Sequence, residues 1–143
     1  AGARYLRAPN GEQENHAPAA HIEKAYVLLD RFRLWEHADD PAATLSVGQH
    51  KLLSLACVLA RPVRLLLLDE PAAQLAKDMV ATLTDVVREL QQSGIGLIVV
   101  EHDLQFIRKL CNRVLVLSGG REIACGEPDV VFGMKRVREE FIR

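Results

Sequence analysis

Arg64–Pro71 reads RLLLLDEP, and the fold turns on how that octet is read. Four consecutive leucines are too few for a lone helix or a membrane span, and they run without alternation into two carboxylates and a proline. The pattern predicts a short strand buried on both faces in a parallel sheet. Asp69 and Glu70 then fall at the carboxyl end of that strand, where ligands sit in open α/β sheets. Pro71 stops the strand because it has no N–H for a sheet ladder. Two adjacent acids repel each other, which points to a cation or a proton-transfer task. A strand that simply ends in solvated acids fits the octet equally well.

The totals narrow the field. A chain of 143 residues, 49% hydrophobic and 26% charged, is long enough for one domain with a real core and short for two. Its formal net charge of −1 gives no general pull toward nucleic acid or an anionic membrane. No apolar run approaches the length of a bilayer span. Residues 1–20, with Pro9, Gly11 and Pro18, show no sustained periodicity and read as a loop or poorly ordered lead. Cys57, Cys111 and Cys125 lack metal-ligand spacing, so reduced thiols in a cytosolic protein are the economical reading.

Outward from the octet, helices and strands alternate. Ile22, Ala25, Tyr26, Leu29 and Phe32 recur at helical spacing from His21. Ser46 is a natural N-cap for the helix that starts near Gly48 and ends at Pro62. A helix start carries unpaired N–H groups, and Gly48 would let a phosphate approach them; an ordinary capped helix would look the same. Lys77–Leu90 is amphipathic, with Val80, Leu83, Val87 and Leu90 on one stripe. Ile95–Asp103 (IGLIVVEHD) repeats the first design, a buried strand ending in Glu101, His102 and Asp103. His102 could meet the same ligand as Asp69 and Glu70, or cap the next helix. RVLVL at Arg113–Leu117 is expected to form a third buried strand, and Ser118–Gly120 turn it into a hairpin-like return. The whole order describes an α/β domain with a mainly parallel sheet.

Three pieces therefore stand in fixed order: LSVGQ (Leu45–Gln49) before a helix, LLLLDEP, and VVEHD. Together they resemble the ATP-binding subunits of ABC transporters, over nearly everything from His21 onward. LSVGQ is similar to the signature motif, LLLLDEP to Walker B with its following glutamate, AAQLAKD to the D-loop, and His102 to the switch histidine. LWEHAD, DEPAAQL and IVVEHDLQFI look most like the ATPases of branched-chain amino acid importers. Val47 stands where the signature usually carries glycine, and Gln74 and Ala76 replace the usual glycine and Asp or Asn of the D-loop.

The resemblance implies a P-loop NTPase (RecA-like) core and assigns roles. Asp69 would hold Mg²⁺ on the ATP phosphates, through water, since Mg²⁺ keeps several waters and takes one or two carboxylates. Glu70 would polarise the attacking water, and His102 would touch the γ-phosphate and that water. Ser46, Gly48 and Gln49 would close over ATP held by a second ATPase subunit in a head-to-tail dimer. Integral membrane permease subunits are the other implied partners, which places the protein in the cytoplasm, peripheral on the inner face of the cell membrane. The implied layout is residues 21–61 as part of the helical subdomain with the signature, and 62–143 as the carboxyl-terminal part of the core.

A phosphate-binding loop needs G-x-x-x-x-G-K-[ST], and none of the five lysines follows a glycine. The Walker A strand and loop are absent from the sequence, so the chain is expected to be the carboxyl-terminal half of an ATPase, inactive alone and exposing strand edges and apolar surface. The function expected is ATP-driven membrane import, with branched-chain amino acids or related compounds as cargo. Two alternatives share the motifs: an ABC ATPase outside transport, and a non-catalytic module that lends its signature face to a complete ATPase.

Overall fold

The computed structural model describes residues 19–141; the predicted lead at 1–20 lies almost wholly outside them. Six helices and four strands follow in the order α1 (Ala19–Arg31), α2 (Val47–Leu59), β1 (Leu65–Asp69), α3 (Lys77–Gln92), β2 (Gly96–Val100), α4 (Leu104–Leu110), β3 (Val114–Ser118), β4 (Arg121–Gly126), α5 (Pro128–Gly133) and α6 (Lys135–Phe141). Short 3₁₀ turns at Trp35–His37 and Ala42–Thr44 join α1 to α2. The α/β reading holds, and the chain divides into two compact units.

One unit runs up to Val63 and includes Gln74–Leu83. Helices α1 and α2 pack together there around buried Leu28, Phe32, Leu34, Leu52, Leu55 and Leu59. The Lys24 ammonium donates to the Ala60 carbonyl at 2.6 Å, capping the carboxyl end of α2, where a cation also suits the helix dipole. Tyr26 and Trp35 rings meet at 4.8 Å in a tilted pair, which anchors the turn after α1.

The other unit holds Arg64–Ala73 and the chain from Thr84. β1 and β2 pair in parallel, from Leu65 opposite Gly96 to Asp69 opposite Val100. β3 pairs antiparallel with β4, with an irregularity between Val116 and Leu117. Among the described residues these are two separate two-stranded sheets. Ile107, Val114, Ala124, Val131, Phe132 and Val137 form one buried cluster.

Burial on both faces of RLLLLDEP is corrected. Leu66 is buried, but Leu65 and Leu67 are 55% and 68% exposed, and their neighbours Ile98 and Val100 on β2 are likewise open. In register, these four residues share one face of the pair. The alternation is a period of two imposed by the strand on a sequence that has none, because no described element covers that face.

Candidate functional site

Parallel pairing brings the turns after β1 and β2 to the same edge. The Glu70 N–H donates to the Val100 carbonyl at 2.8 Å, extending the ladder by one residue. Glu70 itself takes φ +41°, the left-handed region, which costs a non-glycine residue roughly 1–2 kcal/mol and is the kind of strain found at functional sites. On the neighbouring turn, His102 Nδ1 lies 3.5 Å from Glu70 Oε1 and 3.6 Å from Glu101 Oε2. His102 and Glu70 are 77% and 58% exposed. Two of the predicted residues thus meet at an open edge, with exposed Asp69 at the end of the same strand.

This arrangement offers a carboxylate acceptor beside an imidazole. A water that touches both groups from the open side can be oriented and relieved of a proton. Among the described residues no group of three or more His, Cys, Asp or Glu could hold a metal ion. Asp69, a single exposed carboxylate at this edge, is a donor compatible with a hard cation that keeps most of its waters.

Glu101, named by the sequence only as a polar strand end, has a role the sequence reading missed. Its side chain is 1% exposed, and its carboxylate accepts backbone N–H groups from Ala72 (3.0 Å), His102 (2.9 Å) and Asp103 (3.2 Å). Asp103 caps α4 by accepting from Gln105 and Phe106, so the capping role falls to it and His102 is left to the edge.

Ser46, Gly48 and Gln49 belong to the first unit and form their own cluster at the start of α2. Ser46 is the N-cap, and it forms a capping box with Gln49. The Ser46 hydroxyl accepts the Gln49 N–H at 3.3 Å, and the Gln49 amide oxygen accepts the Ser46 N–H at 2.9 Å. The Gln49 side-chain nitrogen then faces His37 Nε2 at 2.7 Å, and His37 Nδ1 faces Asp40 at 2.8 Å. His37 and Asp40 were not singled out by the sequence, although both lie in LWEHAD and the residues just after it. Gly48 is buried, and a Cβ there would come within 2.6 Å of the Met79 sulfur and 3.3 Å of Leu75. Close packing against Met79 thus favours glycine, a reason independent of phosphate access. Val47 is 67% exposed, so bulk at that position projects mainly into solvent.

Known proteins similar to this chain share its sequence and fold. A profile described as ABC transporter matches residues 7–73. The glutamate/aspartate import ATP-binding protein GltL of Escherichia coli is 35% identical over 120 residues, which is 84% of this chain and 49% of that protein. The arginine transport ATP-binding protein ArtP of Haemophilus influenzae is 33% identical over 119 residues, 83% of this chain and 47% of its own length. The chain spans about half the length of these relatives. An ATP-binding cassette of an ABC transporter, solved in its ADP conformation, superposes with a TM-score of 0.75 at 28% identity, over 94% of this chain and 52% of that one.

Proposed function

From the premise that the chain carries part of an ABC transporter ATP-binding domain, we propose that it supplies the hydrolytic edge and the signature face of an importer ATPase. The pairing of Glu70 with His102 at 3.5 Å, on adjacent turns of a parallel strand pair, is the observation that carries this reading. Glu70 accepts the proton of the attacking water, a contribution typically worth ~10²–10⁴-fold in rate. His102 orients the same water and donates toward the terminal phosphate. Asp69 is the residue that would hold Mg²⁺, which when bound would supply charge neutralisation on the ATP phosphates. Ser46, Gly48 and Gln49 serve ATP on a second ATPase subunit, where the amino end of α2 and the Ser46 hydroxyl proton meet anionic oxygen.

The domain reading retains residues 21–61 for the helical subdomain and 62–143 for the core. The cargo proposed is amino acids. Relatives named for glutamate/aspartate and arginine support that class, and branched-chain amino acids as the specific cargo rest on the wording of LWEHAD and IVVEHDLQFI alone. Permease subunits hold the protein at the inner membrane face; among the described residues no helix is long and apolar enough to cross a membrane.

Titrating labelled ATP into the chain, with and without an intact homologous ATPase, tests this. Binding only with the partner is expected, because the chain has no G-x-x-x-x-G-K sequence to grip phosphates. Tight binding by the chain alone would sink the half-site reading. A chain that stimulates partner turnover equally well with Glu70→Gln is instead the non-catalytic module.

A further inference from the structure

Glu101 is the most buried carboxylate near the edge, its side chain 1% exposed beside the exposed Asp69, Glu70 and Asp103. Its two oxygens divide their work. Oε1 takes the Ala72 N–H, from the turn that follows β1, and Oε2 takes the N–H groups of His102 and Asp103, from the turn that follows β2. Three converging backbone N–H groups make an anion-binding concavity, here filled by the chain's own side chain. Hydrogen bonds to an ionised acceptor are about twice as strong as neutral ones, and this acceptor is shielded from water, its side chain 1% exposed.

We propose that Glu101 is a positioning residue, a buried clamp that ties the turn carrying Glu70 to the turn carrying His102 and so fixes the separation of those two side chains. Its catalytic meaning rests on the hydrolytic reading given above; the clamp itself does not. The Glu70 N–H bond to the Val100 carbonyl continues the ladder beside it, and the Glu101 carboxylate adds a buried tie from one turn to the other. Glutamine at 101 has the same shape but one acceptor oxygen, so it can serve one turn and must present an NH₂ group to the other.

Amide exchange followed by NMR on the whole chain, without nucleotide, tests the clamp. In the wild type the Ala72 N–H, in a turn outside any helix or strand, is expected to exchange at least tenfold more slowly than an open turn amide, the factor of about one charge-assisted hydrogen bond. In Glu101→Gln, exchange accelerates about tenfold on one side of the clamp, at Ala72 or at His102 and Asp103, while the Glu70 ladder amide holds its rate. The ring ¹⁵N signals of His102 supply the second readout. Glu70→Gln shifts them in the wild type and leaves them unmoved in the Glu101→Gln background. Leu66→Ala, which loosens the core under β1, speeds ladder exchange and preserves the response of His102 to Glu70→Gln. An unprotected Ala72 amide in the wild type overturns the proposal. So does Glu101→Gln that changes neither exchange nor the His102 response, and so does loss of that response in Leu66→Ala. Failure of ATP binding would leave every one of these outcomes intact.

Discussion

His37 Nε2 and the side-chain nitrogen of Gln49 lie 2.7 Å apart, and the contact fixes where a proton sits. The Gln49 oxygen is committed to the Ser46 N–H, so the atom facing His37 is a donor. His37 Nε2 must accept, and its proton must be on Nδ1, directed to Asp40. His37→Ala removes the acceptor and frees the Gln49 amide to rotate out of the capping box. The expected loss is about 1 kcal/mol of stability, with faster exchange of the Ser46 N–H. Ring ¹⁵N shifts should report the Nδ1–H tautomer in the wild type. An unchanged melt together with unchanged Ser46 exchange would remove His37 from the network.

Gly48→Ala brings a methyl group to 2.6 Å from the Met79 sulfur. Overpacking costs typically about 1–3 kcal/mol, and the flexible thioether places this case toward the low end. Met79→Ala in the same chain should make the two losses less than additive, since the second change clears the space that the first one needs. Strictly additive losses in urea melts would show that Met79 is not what requires glycine.

Gln74 takes φ +62° in the turn between β1 and α3, at the position where the resemblance implies glycine. A left-handed conformation is costly for a side chain and cheap for glycine. Gln74→Gly is therefore expected to stabilise the chain by up to about 1 kcal/mol, the relief being partly offset by the greater freedom of glycine when unfolded. A drop in the melting temperature would mean that the Gln74 side chain makes a contact worth more than the strain.

Much of the fold was legible, for reasons that differ by element. Ser46 was readable as a cap because a cap depends on a few neighbouring residues, and α2 starts where those residues put it. Asp69, Glu70 and His102 were readable because strand ends follow from the apolar runs before them. Burial of RLLLLDEP was not readable, because it depends on what covers a sheet face, which no window of eight residues contains. Glu101 was hidden for the same reason. Its partners are 29 residues away at Ala72 as well as next door, and its letter looks like any solvated acid. The EHD triplet at the end of a strand was the one signal present, and without topology it could not tell which of its three polar residues points inward.

Burial pushes the Cys111 thiol up from its ordinary value, whereas Cys57 is exposed on α2. Only the thiolate attacks a maleimide, so at a given pH below the raised value a smaller fraction of Cys111 is reactive, and access to it is poorer as well. Peptide mapping after brief labelling at neutral pH should find Cys57 modified first. Labelling of Cys111 should keep rising with pH through the alkaline range. Equal rates at the two positions would contradict the burial of Cys111.

Leu67 and Ile98 face each other in register on β1 and β2, and both are more than half exposed. With Leu65 and Val100 they make an apolar face of the kind that marks an interface or an aggregation liability. Burying a leucine fully is worth roughly 1.5–3 kcal/mol, and on this face that gain is not realised among the described residues. Replacing these two side chains should therefore cost the fold little, within about 0.5 kcal/mol for surface changes, while removing the drive to associate. Leu67→Lys together with Ile98→Glu places opposite charges across the pair, which itself favours the parallel register. Sedimentation velocity should show the wild type associating as its concentration rises and the double variant remaining monomeric with the same helix content by circular dichroism. A wild type that stays monodisperse throughout would show that this face is satisfied within the chain.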